Sequence, residues 1–451
     1  GSIEINTATT LTVGGDDSST TFSGVISEDG NLTKAGSGTL TLSGTNTNTG
    51  TTTISAGTLT LDQASNTTGT VIANTAAVTV NGGILNLADT TETIGALTLT
   101  SGSITGTSKT LTGSSYTLNP GADVSVSVAP ILAGSVNLTK SAAGTAILSA
   151  ANTYSGTTTI SDGTLEVDGT LAQTAVTVSS GATYDVDATD TVLSIAGAGT
   201  IDLTDAALTA GDGNDLEFSG VFNGTNNFTK VGSGTLTLSG DNSTASYTGR
   251  IIIDAGTISI SSDSNLGSPN TPDADRLTLQ GGTLLITETI TLNTNRGITL
   301  STDGGTINVA DTKTATYDGA ITGSTAFTKD GNGTLDLGGT NTYTGATNID
   351  DGELNVTGTL SDSTAVTVAS GATYDSDTTD TIGSIAGAGS IEINTATTLT
   401  VGGDDSSTTF SGVISEDGNL TKAGSGTLTL SGTNTNTGTL TVNEGGLTLD
   451  Q

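Results

Sequence analysis

Apolar and polar residues alternate over short stretches of this chain, and the stretches return at a fixed distance. Four triplets of the form apolar-Thr-apolar begin at Leu40, Leu59, Val78 and Leu97, with the same interval each time. A period of two residues is typical of a β-strand with one buried face, and branched Thr, Val and Ile suit a pleated surface. The pattern therefore predicts many short strands, which recur roughly every 19 residues.

Three further series of apolar residues follow the same rule, each in five steps that differ only slightly from that interval. The predicted series are Ala146, Leu165, Tyr184, Ile201, Phe218 and Leu236; Leu236, Ile258, Leu277, Ile298, Tyr317 and Leu335; and Leu335, Leu354, Tyr374, Ile391, Phe410 and Leu428. Between Leu99 and Val128 the frame is ambiguous, and the pattern allows one long corner or an extra turn.

A longer repeat encloses these steps. Residues Gly1 to Thr51 recur unchanged at Gly389 to Thr439. Thr-Lys pairs mark the weaker copies between them; the lysines are Lys34, Lys140, Lys230, Lys329 and Lys422. We therefore predict one continuous domain over 1–451, built of repeats of about 97 residues at 34–139, 140–229, 230–328 and 329–421, with partial repeats at 1–33 and 422–451.

Near-equal steps of this length predict an all-β fold, a β-solenoid of roughly two dozen coils with like residues stacked at the strand spacing of about 4.8 Å. Gly, Asn, Asp and Ser punctuate the strands and suit tight corners. A β-sandwich or a string of immunoglobulin-like domains is the alternative, because the longer repeat matches such a domain in size. The finer interval between the triplets favours the solenoid.

Composition excludes much chemistry. The chain has no Cys, His, Met or Trp, and its 45 acids against 10 bases give a net charge of −35. Cysteine nucleophiles, Cys or His metal ligands, Ser-His-Asp triads and disulfides are therefore absent, and a basic nucleic-acid surface is implausible. No apolar run is long enough to cross a membrane. The acidic, Thr-rich surface favours a secreted bacterial product.

The most regular stretches resemble a known family. The segments Asn31 to Gly44 (NLTKAGSGTLTLSG) and Asn152 to Leu165 (NTYSGTTTISDGTL) are similar to the autotransporter-associated β-strand repeat of bacterial surface proteins, and the pattern returns in every repeat. This resemblance implies a right-handed parallel β-helix in an autotransporter passenger or a large surface adhesin, and the interval between triplets gives about 19 residues per coil. It leaves the secretion route open.

Carboxylates are the remaining candidates for metal or acid–base chemistry. Asp330, Asn332 and Asp336 alternate like the start of a Ca²⁺ loop, although the sister repeats lack acids there and a solvated corner is the default interpretation. The pairs Asp16-Asp17 and Asp404-Asp405 are interpreted as corner residues. Acids stacked between coils form the better hypothesis for a cation site. We otherwise expect no cofactor.

Arg250, Arg276 and Arg296 all fall in the third repeat, near a predicted longer loop at 270–276. A surface insertion with local ion pairs is favoured over a polysaccharide-cleaving site, so no catalytic and no cofactor-binding residues are predicted. The repeated lysines are interpreted as a solvent-facing charge that offsets nearby acids and discourages edge pairing. Phe22, Tyr184, Phe218 and Phe410 are interpreted as core stacks and not as sugar platforms.

These observations predict a structural role without catalysis, as the extracellular shaft of a bacterial filament, stalk or large adhesin. The expected partners are further copies of the repeat in a longer chain, or other molecules of the chain joined end to end in a fibre. A module that binds glycans or another cell surface is the alternative, and a polysaccharide-degrading enzyme is the third choice. We expect no nucleic-acid partner and no membrane span in this segment.

Overall fold

The fold of the protein comes from a computed structural model that describes residues 1–62, 70–88, 91–171, 173–243, 247–269 and 271–450. It is all-β apart from one turn of 3-10 helix, η1, at Asp263–Leu266. About 22 solenoid turns of about 20 residues are present in these residues, which confirms the predicted fold class.

The strands of the first half of the chain are mostly three or four residues long. They are β1 Ser2–Glu4, β2 Thr10–Val13, β3 Thr20–Phe22, β4 Val25–Ser27, β5 Asn31–Lys34, β6 Thr39–Leu42, β7 Thr52–Ile54, β8 Thr58–Leu61, β9 Val78–Leu87, β10 Glu92–Thr93, β11 Ala96–Thr105, β12 Thr110–Thr112, β13 Ser115–Leu118, β14 Ser125–Val128, β15 Ile131–Ala133, β16 Leu138–Lys140, β17 Thr145–Leu148, β18 Thr158–Ile160, β19 Thr164–Val167, β20 Ala175–Val178, β21 Thr183–Val186, β22 Asp190–Val192, β23 Ser194–Gly197, β24 Thr200–Leu203, β25 Leu208–Ala210, β26 Leu216–Phe218 and β27 Val221–Gly224.

The strands of the second half are similar in length. They are β28 Phe228–Lys230, β29 Thr235–Leu238, β30 Ile251–Ile253, β31 Thr257–Ile260, β32 Asp273–Leu279, β33 Thr283–Ile286, β34 Ile290–Leu292, β35 Arg296–Leu300, β36 Gly305–Val309, β37 Thr314–Tyr317, β38 Ile321–Gly323, β39 Phe327–Asp330, β40 Thr334–Leu337, β41 Thr347–Ile349, β42 Glu353–Val356, β43 Ala365–Val368, β44 Thr373–Ser376, β45 Asp380–Ile382, β46 Ser384–Gly387, β47 Ser390–Ile393, β48 Thr398–Val401, β49 Thr408–Phe410, β50 Val413–Ser415, β51 Asn419–Lys422, β52 Thr427–Leu430, β53 Leu440–Val442 and β54 Gly446–Leu449.

The chain forms two compact units. The first contains Gly1–Ala210 and Phe218–Asn226, and the second contains Gly211–Glu217 and Asn227–Gln451. The predicted continuity over 1–451 stays a prediction.

In each unit a strand pairs in parallel with the strand one turn away. In the first unit β4, β5 and β6 lie in register on β1, β2 and β3. In the second unit β40, β42, β44 and β47 follow one another in the same manner. Parallel crossovers of this kind are expected to wind to the right, as the resemblance implies.

Alternation along each strand builds the core. The pattern of β6, β17 and β40 places residues two and four of each strand in the interior. Stacked turns therefore bury continuous apolar columns, and Ala146, Leu165 and Tyr184 stack in direct register with no exposed surface. Tyr184, Phe218 and Phe410 are fully buried, which confirms their assignment to the core, whereas Phe22 is only partly covered.

The predicted series are correct where turns are uniform and wrong where a turn lengthens. Leu40 stacks on Leu59, but Leu59 stacks on Leu85, and Val78 lies at the other end of strand β9, between Thr52 and Leu97. Similarly, Ile201 stacks on Phe222 and not on Phe218. Strand alternation has a period of two residues, so the alternating pattern looks the same when a corner between two strands gains residues. The sequence therefore does not show that an apolar residue has left its column of stacked residues.

The two later series of predicted apolar residues contain similar errors of stacking. Ile258 stacks on Leu284 and not on Leu277, and Ile298 stacks on Ile321 and not on Tyr317. Ile391 stacks on Ile414 and not on Phe410. The ambiguous stretch after Leu99 resolves into a single long turn, because Ile104 pairs directly with Val128.

Corners are compact because successive turns approach closely. Gly36 has φ of +66°, and a Cβ atom there would lie 1.8 Å from the carbonyl oxygen of Gly14. Gly424 repeats this contact against Gly402. Glycine is therefore required at this corner both for its backbone conformation and for space.

Asp17 and Asp405 are corner residues, as predicted, with φ of 60° and 57°. Each also accepts a hydrogen bond from the next turn, from the N–H of Ser37 at 2.6 Å and of Ser425 at 2.7 Å.

The predicted loop at 270–276 is wrong from Asp273 onward, because that residue begins strand β32, and residue 270 lies outside the described residues. Within the described ranges, no helix has the length and apolar character needed to cross a membrane.

Candidate functional site

Five lysines occupy the same corner in successive repeats, and their side chains point inward. Lys34 ends β5, where alternation places Leu32 and Lys34 on the buried face. All five side chains are at most 2% exposed. We call Lys34, Lys140, Lys230, Lys329 and Lys422 the lysine corners.

Each ammonium group lies in a cage of backbone carbonyl oxygens. Nζ of Lys34 donates to the oxygens of Ala35 at 2.6 Å, Gly36 at 2.8 Å and Ala56 at 3.1 Å. Lys329 makes the equivalent bonds at 3.0, 2.7 and 3.1 Å. Two carbonyls come from the lysine's own corner and the third from the next turn. Since an ammonium has three donors, the cage satisfies it and joins two turns.

This arrangement corrects the interpretation of the lysines as a solvent-facing charge. Burial lowers the pKa of Lys140 and Lys329 to about 8, against the opposing effect of Asp162 and Asp330 respectively. A lysine of lowered pKa can act as a nucleophile when a substrate reaches it, but these amines are enclosed by backbone. The geometry therefore gives them a structural role. The signal in the sequence was their position two residues after an inward leucine or phenylalanine.

Buried side-chain amides bridge turns at a second corner. Oδ1 of Asn152 accepts the N–H of Leu132 at 3.0 Å, and its Nδ2 donates to the oxygen of Thr170 at 3.1 Å. Each such amide therefore connects the turn before it with the turn after it. Asn46, Asn152, Asn341 and Asn434 bond the preceding turn in this way.

Buried carboxylates follow these amides two turns later. Asp190 accepts the N–H of Leu171 at 2.8 Å and of Thr191 at 2.7 Å, and the hydroxyl of Tyr184 at 2.9 Å. Glu92 and Asp380 cap backbone N–H groups in the same way.

Burial raises the pKa of Glu92 to about 7 and raises those of Asp190 and Asp380. The N–H donors act in the opposite direction. Sequence reasoning missed these groups, because each acid stands between two threonines and so looks like part of a solvated corner.

Acids also stack on the outer face, as the sequence hypothesis proposed. In the first unit Glu166, Asp185 and Asp202 lie in register on successive turns. Carboxylate oxygens of Glu166, Asp168 and Asp187 lie within 4.8 Å of one another, the one such group of three among the described residues. Burial, followed by the neighbouring acids, raises the pKa of Asp185 to about 7. Whether this cluster binds a cation stays a prediction.

The structure places Asp330, Asn332 and Asp336 in separate surroundings. Asp330 accepts the amide of Asn308 at 2.6 Å, and the amide of Asn332 donates to Asp351 at 3.0 and 3.2 Å. Asp336 lies in another sheet and accepts Asn355 at 3.2 Å. The carboxylates of Asp330 and Asp336 thus have other partners, and a Ca²⁺ site built from all three residues stays a prediction that this geometry does not favour.

The three arginines form the local ion pairs that the sequence predicted. Arg250 pairs with Asp275 at 2.6 Å at the surface, and Arg296 pairs with Asp263 at 2.9 Å. Arg296 differs from the expectation of a surface pair, because it is fully buried.

Comparison with known proteins agrees with this geometry. The passenger-associated-transport-repeat family matches residues 32–61, 138–167, 228–260, 327–356 and 420–449. Each matched segment contains one lysine corner and the strands that follow it. The feature that recurs in the structure is therefore the unit that the family describes.

A curated relative gives the same result over a longer span. The chain is 36% identical over 489 aligned residues to the protein called adhesin BmaC autotransporter from Brucella suis biovar 1 (strain 1330). The alignment covers 98% of the chain and 13% of that relative. No solved structure matches the chain significantly. The chain carries five passenger-associated-transport repeats, and its resemblance to autotransporter passenger repeat proteins, predicted from the sequence, is confirmed.

Proposed function

We propose that this chain is part of the shaft of a bacterial surface adhesin, where it holds other parts of a longer protein away from the cell. The observation that carries the proposal is the parallel backbone pairing of successive turns among the described residues of each unit, to which the lysine corners add five further links between turns. Such ladders resist local opening, since the backbone groups of one turn are bonded on both sides.

Charge supports the same role. A net charge of −35 keeps neighbouring molecules apart and soluble. The relative's name, an adhesin and autotransporter, supports an extracellular location. The proposed partners are further repeats of the same kind in one longer chain, with end-to-end association into a fibre as the second possibility. A non-catalytic role is part of this proposal.

Location is tested by immunogold labelling of intact cells of the bacterium that encodes the chain. An antibody against residues 91–171 and another against residues 271–450 are expected to label the cell exterior without permeabilisation. Labelling that requires permeabilised cells contradicts the proposal. A cytoplasmic protein of the same cell is the control for leakage.

Mechanical and proteolytic resistance is tested with trypsin, because the lysine corners are trypsin sites that the fold encloses. We expect cleavage after the exposed Arg250 and after Lys313 to precede cleavage after any lysine corner. Sedimentation over a concentration series separates the two partner possibilities, since a chain that joins end to end grows in mass with concentration. Early cleavage after the lysine corners contradicts a rigid shaft.

A further inference from the structure

The third repeat departs from the regular turn in one place. Ile258 stacks directly on Leu284, so this turn is longer than the regular turn that joins Leu335 to Leu354. The additional chain includes η1 and leads into β32, whose pairing with β35 is irregular between Asp273 and Leu277. Irregular strands of this kind are frequent next to binding sites.

All three arginines of the chain hold this region in place. Arg296 donates to the carbonyl oxygens of Leu266 at 2.9 Å and Gly267 at 2.7 Å, which fixes the segment after η1. Arg276 is buried, donates to the carbonyl of Thr248, and its Nε lies 3.7 Å from Asp273. All three arginines of the chain thus make their contacts in one region of the third repeat.

An open groove of about 350 Å³ lies beside the irregular turn. Its walls come from three successive turns and include Asp273, Ala274, Thr294, Asn295, Ala320 and Thr322. The groove also includes Gly297, where a Cβ atom would lie 2.3 Å from the carbonyl group of Ala274. Glycine thus lets these turns approach closely. The volume lies within the range of small-molecule sites.

Polar side chains and small side chains both line the groove. Asp273 and Asn295 are neighbours, because the N–H of Asp273 donates to the carbonyl oxygen of Asn295 at 3.0 Å. A hydrogen bond with Asp275, and then the charges of Arg276 and Arg250, lower the pKa of Asp273 and keep it ionised. Asp273 therefore presents acceptor oxygens, and Thr294 presents a hydroxyl that can donate or accept. The hydroxyl of Thr322 already bonds that of Thr299 at 3.1 Å.

The charged residues around the groove limit the class of ligand that it can bind. Arg276 and Arg250 already face Asp273 and Asp275, so the groove has no unbalanced charge for a cation, and the acids would repel an anion. A ligand with several hydroxyl groups and a weakly polar ring face suits a groove that is lined by polar and by small side chains.

We propose that the groove of the third repeat binds a neutral saccharide of one or two rings, with hydroxyls bonded to Asp273 and Asn295 and a ring face on Ala274 and Ala320. This binding function goes beyond the shaft role and does not depend on it.

The test is a titration of the full chain with neutral disaccharides, namely lactose, maltose, cellobiose and N,N′-diacetylchitobiose, followed by NMR saturation transfer and calorimetry. We expect at least one of them to bind with a dissociation constant of about 1 mM or below. Asp273→Asn is expected to weaken that binding about tenfold, because a charged acceptor of a ligand hydroxyl is lost.

Two variants complete the design. Ala320→Trp fills the exposed side of the groove without removing a polar group, and it is expected to abolish binding while the thermal unfolding temperature stays unchanged. Asp311→Asn makes the same charge change at an exposed residue elsewhere in the second unit, and it is expected to bind like the parent chain. If no disaccharide binds, or if Ala320→Trp binds as well as the parent chain, the proposal is wrong.

Discussion

Two segments of the molecule repeat each other closely, 138–210 in the first unit and 327–401 in the second. Both keep the lysine corner, the bridging asparagine and the buried Asp that caps the backbone, at Lys140, Asn152 and Asp190 and at Lys329, Asn341 and Asp380. Both also keep the apolar column, which runs through Leu165 and Tyr184 or through Leu354 and Tyr374.

The segments differ in their side-chain hydrogen bonds. Tyr184 donates to Asp190 at 2.9 Å, whereas the buried hydroxyl of Tyr374 has no hydrogen-bond partner among the described residues. On the outer face, Glu166 and Asp168 of the first segment correspond to Asn355 and Thr357 of the second. Both segments thus share backbone capping and column stacking, which define the fold, whereas the acids on the outer face and the hydrogen bonds of buried hydroxyls differ between them.

The largest expected effect concerns the lysine corners. Lys140→Met and Lys329→Met remove the ammonium and leave buried carbonyl oxygens without a donor. We expect each to destabilise its own unit by about 4 kcal/mol, measured by hydrogen exchange of amides in the adjoining turns. Lys313→Met, which breaks only the surface pair with Glu288, is the control and should cost below about 1 kcal/mol. Equal, small effects at all three lysines would contradict the role of the corners.

The columns should respond alike in the two segments. Leu165→Ala and Leu354→Ala each remove a side chain with no exposed surface. Each is expected to cost about 3 kcal/mol through lost burial and a cavity, measured by urea denaturation with probes in both units. A difference of more than about 1 kcal/mol between them would show that the two columns are packed unequally.

The tyrosine hydroxyls should respond differently. Tyr184→Phe removes a donor from the buried carboxylate of Asp190 and is expected to cost about 1.5 kcal/mol. Tyr374→Phe removes a hydroxyl that has no partner and is expected to be neutral or slightly stabilising. Thermal unfolding of the two variants measures the contrast, and an equal loss in both would contradict it.

Stability should fall as pH rises from mildly acidic to slightly basic. The pKa values of Asp185 and Asp375 are both raised to about 7, first by burial and then by neighbouring acids. A raised pKa means that folding favours the protonated acid. Its contribution is complete below the ordinary pKa of about 4 and is lost through about 7. The unfolding temperature should be higher at pH 5 than at pH 8, and the double variant Asp185→Asn and Asp375→Asn should flatten this dependence.

The smallest expected effect is that of Ca²⁺. Glu166, Asp168 and Asp187 cluster in the first segment only. If the cluster holds the ion, millimolar Ca²⁺ should raise the unfolding temperature of the first unit slightly and leave the second unchanged. Asp187→Asn should remove the shift. A shift of equal size in both units would indicate general charge screening.

Much of the fold could be predicted because strand alternation and turn length are both periodic in the sequence. Leu165, Tyr184 and Ile201 stack as predicted, since their turns have nearly constant length. Val78 was assigned to the wrong column of stacked residues, because alternation carries no record of how many residues a corner holds.

The lysine corners were recognised as repeat markers and given the wrong environment. The charge of a lysine suggested a side chain in solvent, whereas the position of Lys34 in its strand places its side chain in the interior. Glu92 and Asp190 could not be found at all, because backbone capping depends on which N–H groups a neighbouring turn leaves free. The groove of the third repeat could not be predicted either, because its existence depends on the distances between neighbouring turns.

Enclosure of the lysine corners changes what the molecule presents to its surroundings. Seven of the ten cationic side chains are buried: five lysines, Arg276 and Arg296. Lys109, Arg250 and Lys313 are the rest. Within a screening length of about 8 Å, another macromolecule meets an almost purely anionic coat. Poor coupling to amine-reactive supports is expected, because five of the seven lysine amines are enclosed by backbone.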